Sequence, residues 1–420
     1  LLNTLSGIFN IKDLRNKFLF TLAVIIIFRL GVHLPIPGVD SVKLTHMFGS
    51  GNLLNFLDLF TGGAFVKFSI FAMGIVPYIN ASIIFQLLTA VVPQLEELAK
   101  EGDSGRKQIA QYTRYLTMVL AAFQAFGMAF WLRSVLLPGY SFTFFLVSCM
   151  ILLTAGSALV MWMGELITER GIGNGASLII FIGIVSRIPT YIGQTILLLK
   201  GGASFVGVII LLAVFILMIV SIVIISEAQR RIPVQYAKRI IGRRVYGGQS
   251  TYIPLRINQG GVIPIIFASS VLLFPATIAQ FIPVPLMQWI AGQLSPSKGL
   301  YMLLYFLLIF FFTYFYTAIT FNPKDLAENI KKYGGFIMGI RPGEPTAQYL
   351  ESVVTKLTFI GALFLAVIAV IPTIIEGATH ITTFQGLGST ALLIVVGVAL
   401  DLVRQIETHL VTRQYEGLLT

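Results

Sequence analysis

Long apolar stretches alternate with short polar ones along this chain. Ten stretches read as membrane-crossing helices: 18–34, 70–92, 112–132, 142–164, 176–194, 204–226, 260–282, 300–321, 356–375 and 386–403. A bilayer core about 30 Å thick requires about 20 apolar residues at about 1.5 Å rise each. Two connections are too long to be turns. Residues 227–259 alternate in VQYAKR and STYIPLRI around Gly247–Gly248, which predicts an extended basic ribbon. Residues 322–352 open with Asn322 and Pro323, an N-cap followed by a first-turn proline, and Gly334–Gly335 closes the helix they predict. A third irregularity is NLLNFLDLFTGGAFVKFSIFAMG at 52–74, which is apolar but interrupted by Asp58, Gly62–Gly63 and Lys67. It is too short to span before its glycines and reads as an interfacial or re-entrant segment.

The distribution of charge orients these spans. Of the 29 Lys and Arg residues, 22 fall in connections on one side of the ten-span layout and seven elsewhere. Cytoplasmic loops are the Lys- and Arg-rich ones, so both termini are predicted to be cytoplasmic. Ten spans with both ends on one side allow two oppositely oriented halves of five, 1–200 and 201–420. Inverted repeats of this kind are common in secondary transporters. From topology alone, a small-solute transporter is therefore the leading alternative, with a poreless membrane receptor as a third.

Composition narrows the class. The 420 residues are 56% hydrophobic and 11% charged, with mean hydropathy +0.87, against roughly 25% charged in soluble domains. Lipid is the main solvent, and an ordinary soluble enzyme is excluded. The first apolar run carries Arg29 and has no small-residue cleavage site, so it reads as a span, not a removable signal. The one cysteine, Cys149, sits in an apolar run and excludes an internal disulfide or cysteine-based metal cluster. There is no GxxxxGK[ST], HExxH or GxSxG motif. The four histidines, His33, His46, His380 and His409, lie near span ends or in connections. The chain reads as non-enzymatic, without cofactor or metal. Charges near spans (Arg29, Glu165, Arg187, Glu376, Asp401) fall toward their ends, which argues against a proton or sodium carrier.

Several ordered stretches carry a family resemblance: GIVPYINASIIFQLLT, ITERGIGNGASLIIF, QRRIPVQYAKR, GRRVYGGQSTYIPLRIN, GVIPIIFASSVLLFPATIA, FNPKDLAENIKKYGGFIMGIRPGEPTAQYL and RQYEG. From about Asn10 to its end the chain resembles the bacterial SecY family, pore subunits of the Sec protein-conducting channel. The resemblance implies an all-α polytopic fold of ten helices, a clamshell of two five-helix halves around an hourglass pore. It implies a constriction formed by Ile79, Ile83, Ile180, Ile184, Ile266 and Ile394. The pairs Ile79/Ile83 and Ile180/Ile184 each share one helix face. It assigns 53–66 to a plug helix, with Leu57, Phe60, Gly62, Gly63 and Phe65 as its working residues. Asp58 and Lys67 would then face an aqueous vestibule. A lateral gate is implied between spans two and three and spans seven and eight, with Thr89, Gln124 and Ser270 as a polar seam. Partner docking on the motor ATPase SecA or the ribosome is implied for Arg230, Arg231, Lys238, Arg239, Arg243, Arg244 and Arg341. The implied partners also include SecE, SecG, signal sequences, translocating polypeptides and membrane lipids. The implied location is the bacterial cytoplasmic membrane.

Overall fold

The computed structural model describes residues 11–40, 43–44, 58, 60–202, 204–236, 239–241, 244–246, 250–281, 284–285, 289, 292–294, 298–379 and 389–416. Every predicted span is represented by a helix. These are α1 (Lys12–Gly31), α2 (Val76–Val91), α4 (Asp103–Trp131), α5 (Phe142–Arg170), α6 (Gly175–Val185) with α7 (Ile188–Lys200), α8 (Phe205–Glu227), α9 (Ile263–Phe281), α10 (Gly299–Thr320), α12 (Glu344–Thr379) and α13 (Ser389–Glu416). Two short helices, α3 (Pro93–Lys100) and α11 (Pro323–Lys332), lie between them. Among the described residues, six helical stretches are long and apolar enough to cross a bilayer, or seven with the bent pair α2–α3. The protein is a multi-pass, all-α membrane protein.

Three departures from the expected spans have local causes. Span two was expected from residue 70, but 62–75 is a run of turns and α2 begins only at Val76. Its 16 residues rise only about 24 Å. Apolarity hid the turns, since Gly62, Gly63 and Gly74 all adopt positive φ. The chain then bends by 100° into α3, because Pro93 forces Val92 into extended backbone (ψ 113°). Span five splits into α6 and α7 at Ser186–Arg187, two residues before Pro189.

The helices pack in sequence-local groups. α5 lies against α1, α4 and α6, and α2 against α4; α12 lies against α10, α8 and α13. Among the described residues, the main packings that join the early helices to the late ones are α6 with α13, and α9 with both α2 and α4. One continuous apolar core runs through all of them.

The expected ribbon is present and larger than foreseen. β1 (Gln229–Tyr236) pairs antiparallel with β4 (Ser250–Arg256), with Gln229 opposite Arg256 and Gln235 opposite Ser250. Between them β2 (Arg239–Ile241) pairs with β3 (Arg244–Tyr246). A further strand, β5 (Gly335–Ile337), joins the other edge of β1, with Val234 opposite Ile337. The two long connections are therefore one unit. It has its own apolar core of Ile232, Val234, Leu255, Ile330, Ile337, Leu350 and Val354. Its helix α11 is capped as expected: Asn322 Oδ1 accepts from the N–H groups of Lys324 (3.1 Å) and Asp325 (3.4 Å).

Candidate functional site: a central constriction and its seated segment

The six candidate constriction residues, carried by α2, α6, α9 and α13, are all buried in the apolar core that runs through the helices. Ile79, Ile83, Ile180, Ile184, Ile266 and Ile394 all belong to it, none more than 7% exposed. Ile79, Ile180 and Ile266 also line a cavity of about 340 Å³. The same cavity is bordered by Tyr78, Gln86, Arg114, Glu165, Glu169 and Asn174. Arg114 Nε donates to Glu165 Oε1 at 2.8 Å, tying α4 to α5. The cavity is mostly apolar, with polar groups from Tyr78, Gln86, Arg114, Glu165, Glu169 and Asn174 along part of its lining.

The interrupted segment lies against α6. Phe60 and Phe65 are buried in the central cluster. Gly62 adopts φ +66° and lies so near α6 that an added Cβ would stand 2.8 Å from Gly183 Cα and 3.0 Å from Arg29 Nη1. Only glycine meets both demands, the left-handed backbone and the close approach. Gly63 follows at φ +92°. Leu57 lies outside the described residues, as do 53–56, so the expected helix can be followed only at Asp58, Phe60 and Thr61, all helical.

Asp58 corrects the expectation of an aqueous environment. Its side chain is fully buried and ion-paired with Arg187, and Oδ1 accepts from the Val66 N–H at 2.9 Å. A buried carboxylate needs such partners, because desolvation penalises its charge. Lys67 is exposed. Arg29 Nη1 donates to Gly62 O at 3.0 Å and to Ser186 Oγ at 2.9 Å. Ser186 Oγ in turn donates to Gly183 O at 2.7 Å. Sequence reasoning gave Arg29 and Arg187 no role beyond their places near span ends, and passed over Gly183 and Ser186. The available signal was opposite charge in three apolar contexts: Asp58 in one, Arg29 and Arg187 in two others.

The three seam candidates lie on α2, α4 and α9, helices that pack against one another. Ser270 is buried on α9, Gln124 is partly buried on α4, and Thr89 is partly buried near the end of α2. Thr89 Oγ1 donates to Gln86 O of its own helix at 2.8 Å. Of the docking candidates, Arg230, Arg231 and Arg341 are exposed on the strand unit or the loop following β5. The Arg231 guanidinium stacks over the Tyr252 ring at 4.8 Å. Arg239 and Arg244 lie in β2 and β3, while Lys238 and Arg243 fall outside the described residues. Among the described residues no group of three or more His, Cys, Asp or Glu side chains is placed to hold a metal.

The family profile described as SecY matches residues 69–403. A protein translocase subunit SecY from Synechococcus elongatus is 48% identical over 419 residues, covering 97% of this chain and 95% of that one. Among solved structures, one reports that the plug domain of the SecY protein stabilises the closed state of the translocation channel and maintains a membrane seal. It is similar with TM-score 0.67 and 18% identity, covering 94% of this chain and 92% of that one. Sec61 in a canine ribosome–channel complex from the endoplasmic reticulum is similar with TM-score 0.62 and 16% identity, again covering 94% and 92%.

Proposed function

The chain belongs to the SecY family, and from that membership we infer that it is the channel subunit through which polypeptides cross a membrane. The cavity lined by Ile79, Ile180 and Ile266, from α2, α6 and α9, is the observation that supports a constriction most directly. A narrow apolar ring dewets and blocks ions when empty, yet offers nothing that grips a passing chain. It closes around any side chain by van der Waals contact alone, which suits a channel with many substrates.

The remaining parts take roles around that ring. The segment from Asp58 to Phe65 is the plug on its far side. Its counterpart in a structural relative carries the seal. The α2 and α4 contacts with α9 form the lateral gate, near Thr89, Gln124 and Ser270. Apolar segments leave through it because lipid favours them. At about −0.3 to −0.6 kcal/mol per Leu, Ile, Phe or Val residue, ten such residues gain roughly 3–6 kcal/mol. The two halves 1–200 and 201–420 hinge as a clamshell about this gate.

The chain is not an enzyme, and a partner must supply the work. The strand unit with Arg230, Arg231, Lys238, Arg239, Arg243, Arg244 and Arg341 is the docking surface for the ribosome or SecA. Arginine pairs bidentately with phosphate and carboxylate. A structural relative sits in a ribosome complex. SecE and SecG complete the assembly. The basic unit and both termini face the cytoplasm of a bacterial cell, following the distribution of lysine and arginine. The solute-transporter alternative gains no support from the charges near the predicted spans, which fall toward span ends.

Polar substitution tests the ring. Ile266→Asn or Ile394→Asn should raise ion leak and allow export of substrates with defective signals. Unaltered leak and selectivity would refute the ring assignment.

A further inference from the structure

We infer that Asp58, Arg187 and Arg29 form a charged latch that sets how readily the plug leaves its seat, and so how strong a signal an arriving polypeptide must carry. The inference rests on the plug reading above and adds to it the residues that fix the release threshold.

The geometry is specific. Asp58 belongs to the plug, Arg187 to the break between α6 and α7, and Arg29 to the last turn of α1. The Asp58 carboxylate is fully buried, and the Arg187 side chain is 22% exposed. Arg29 Nη1 bridges the two sides, reaching Gly62 O on the plug and Ser186 Oγ beside Arg187. Three segments far apart in sequence are thus joined by one carboxylate and two guanidinium groups.

The energetics of such a pair favour all-or-none release. Separating both charges into water returns to each its hydration, so full departure of the plug is not prohibitive. Removing one partner while the other stays buried is costly, because a lone buried charge has no compensation. Partial displacement resembles the second case. The latch therefore discriminates against small excursions of the plug and yields to a polypeptide that moves it completely. Apolar contacts of Phe60 and Phe65 alone would fade gradually with distance.

The test uses the assembled channel complex in planar bilayers, with closed-state ion conductance as the readout, alongside export of a reporter with a weakened signal. Asp58→Asn and Arg187→Gln should each raise conductance and weak-signal export about tenfold, the effect of a loss of about 1.4 kcal/mol in seating. The double variant should return to within a few-fold of the parent, because neither charge is then stranded. Tight single variants, or a double variant as leaky as the two effects combined, would overturn the latch. A channel lacking residues 57–65 separates the two ideas. If that deletion leaves conductance unchanged, the plug reading itself fails. If the deletion leaks while both single variants stay tight, only the latch fails. Equal yields of assembled complex guard against misfolding, and Asp58→Arg with Arg187→Asp gives a second rescue with both charges retained.

Discussion

Gly62 and Gly183 meet backbone to backbone: a Cβ on Gly62 would lie 2.8 Å from Gly183 Cα, and one on Gly183 would lie 3.0 Å from Phe60 O. The segment around Gly62, proposed as the plug, is thereby packed against α6 one residue before Ile184. Gly183→Ala should improve the helix by up to about 1 kcal/mol, since glycine is a poor interior helix residue, yet push the plug outward. Ion conductance is expected to rise several-fold while the thermal unfolding temperature holds or increases. Unaltered conductance would mean that the plug tolerates the added methyl without moving.

The strand unit should behave as one folding element. Ile232 is 2% exposed in a core drawn from both long connections. Ile232→Ala is expected to cost about 2–5 kcal/mol locally. Protease sensitivity should then appear in 227–259 and 322–352 together, read by limited proteolysis of the membrane-embedded protein. Cleavage confined to one connection would contradict the shared sheet.

Arginines of the two long connections should act on docking alone. Arg341→Glu or Arg243→Glu is expected to weaken SecA or ribosome binding at low salt without altering assembly. The difference should narrow as salt rises, because exposed charges are screened over about 8–10 Å near physiological ionic strength. Binding measured by sedimentation with vesicles across a salt series checks it. Identical affinity at low salt would remove these residues from the interface.

Arg404 ties the last helix to the foot of the ribbon. Its Nη2 donates to Ser226 O at 2.7 Å and to Glu227 Oε1 at 2.8 Å, at the end of α8. Charge-assisted bonds contribute about 1.5–3 kcal/mol, whereas an exposed ion pair alone contributes about 0–1 kcal/mol. Arg404→Gln should therefore lower unfolding stability more than Glu227→Gln, which leaves the carbonyl bond in place. Thermal unfolding in detergent compares them, and equal losses would show that the ion pair dominates.

Much of this fold was legible because lipid imposes long apolar runs, and each expected run became a helix. The ribbon was legible from alternation, and α11 from Asn322 and Pro323. β5 was not, because Gly335–Ile337 is three residues long and its partner lies about a hundred positions earlier. The ring required family resemblance: isoleucines four apart on an apolar helix look alike whether they face lipid, a neighbour or a pore. The pairing of Asp58 with Arg187 leaves no local trace either, since nothing near Asp58 indicates which distant cation will meet it. Burial of Asp58 was hidden by its charge, which suggested water where the fold supplies a guanidinium.

The central claim is that a polypeptide passes through the isoleucine ring. A photo-crosslinking residue at Ile83, buried within the ring cluster, should capture a stalled secretory chain in the assembled, energised channel. The same probe at Ile151, 62% exposed on the outer surface of α5, should capture only lipid. Crosslinks to the substrate at Ile83 and none at Ile151 are the expected result. A stalled chain that never reaches Ile83, or reaches Ile151 equally, would contradict the account.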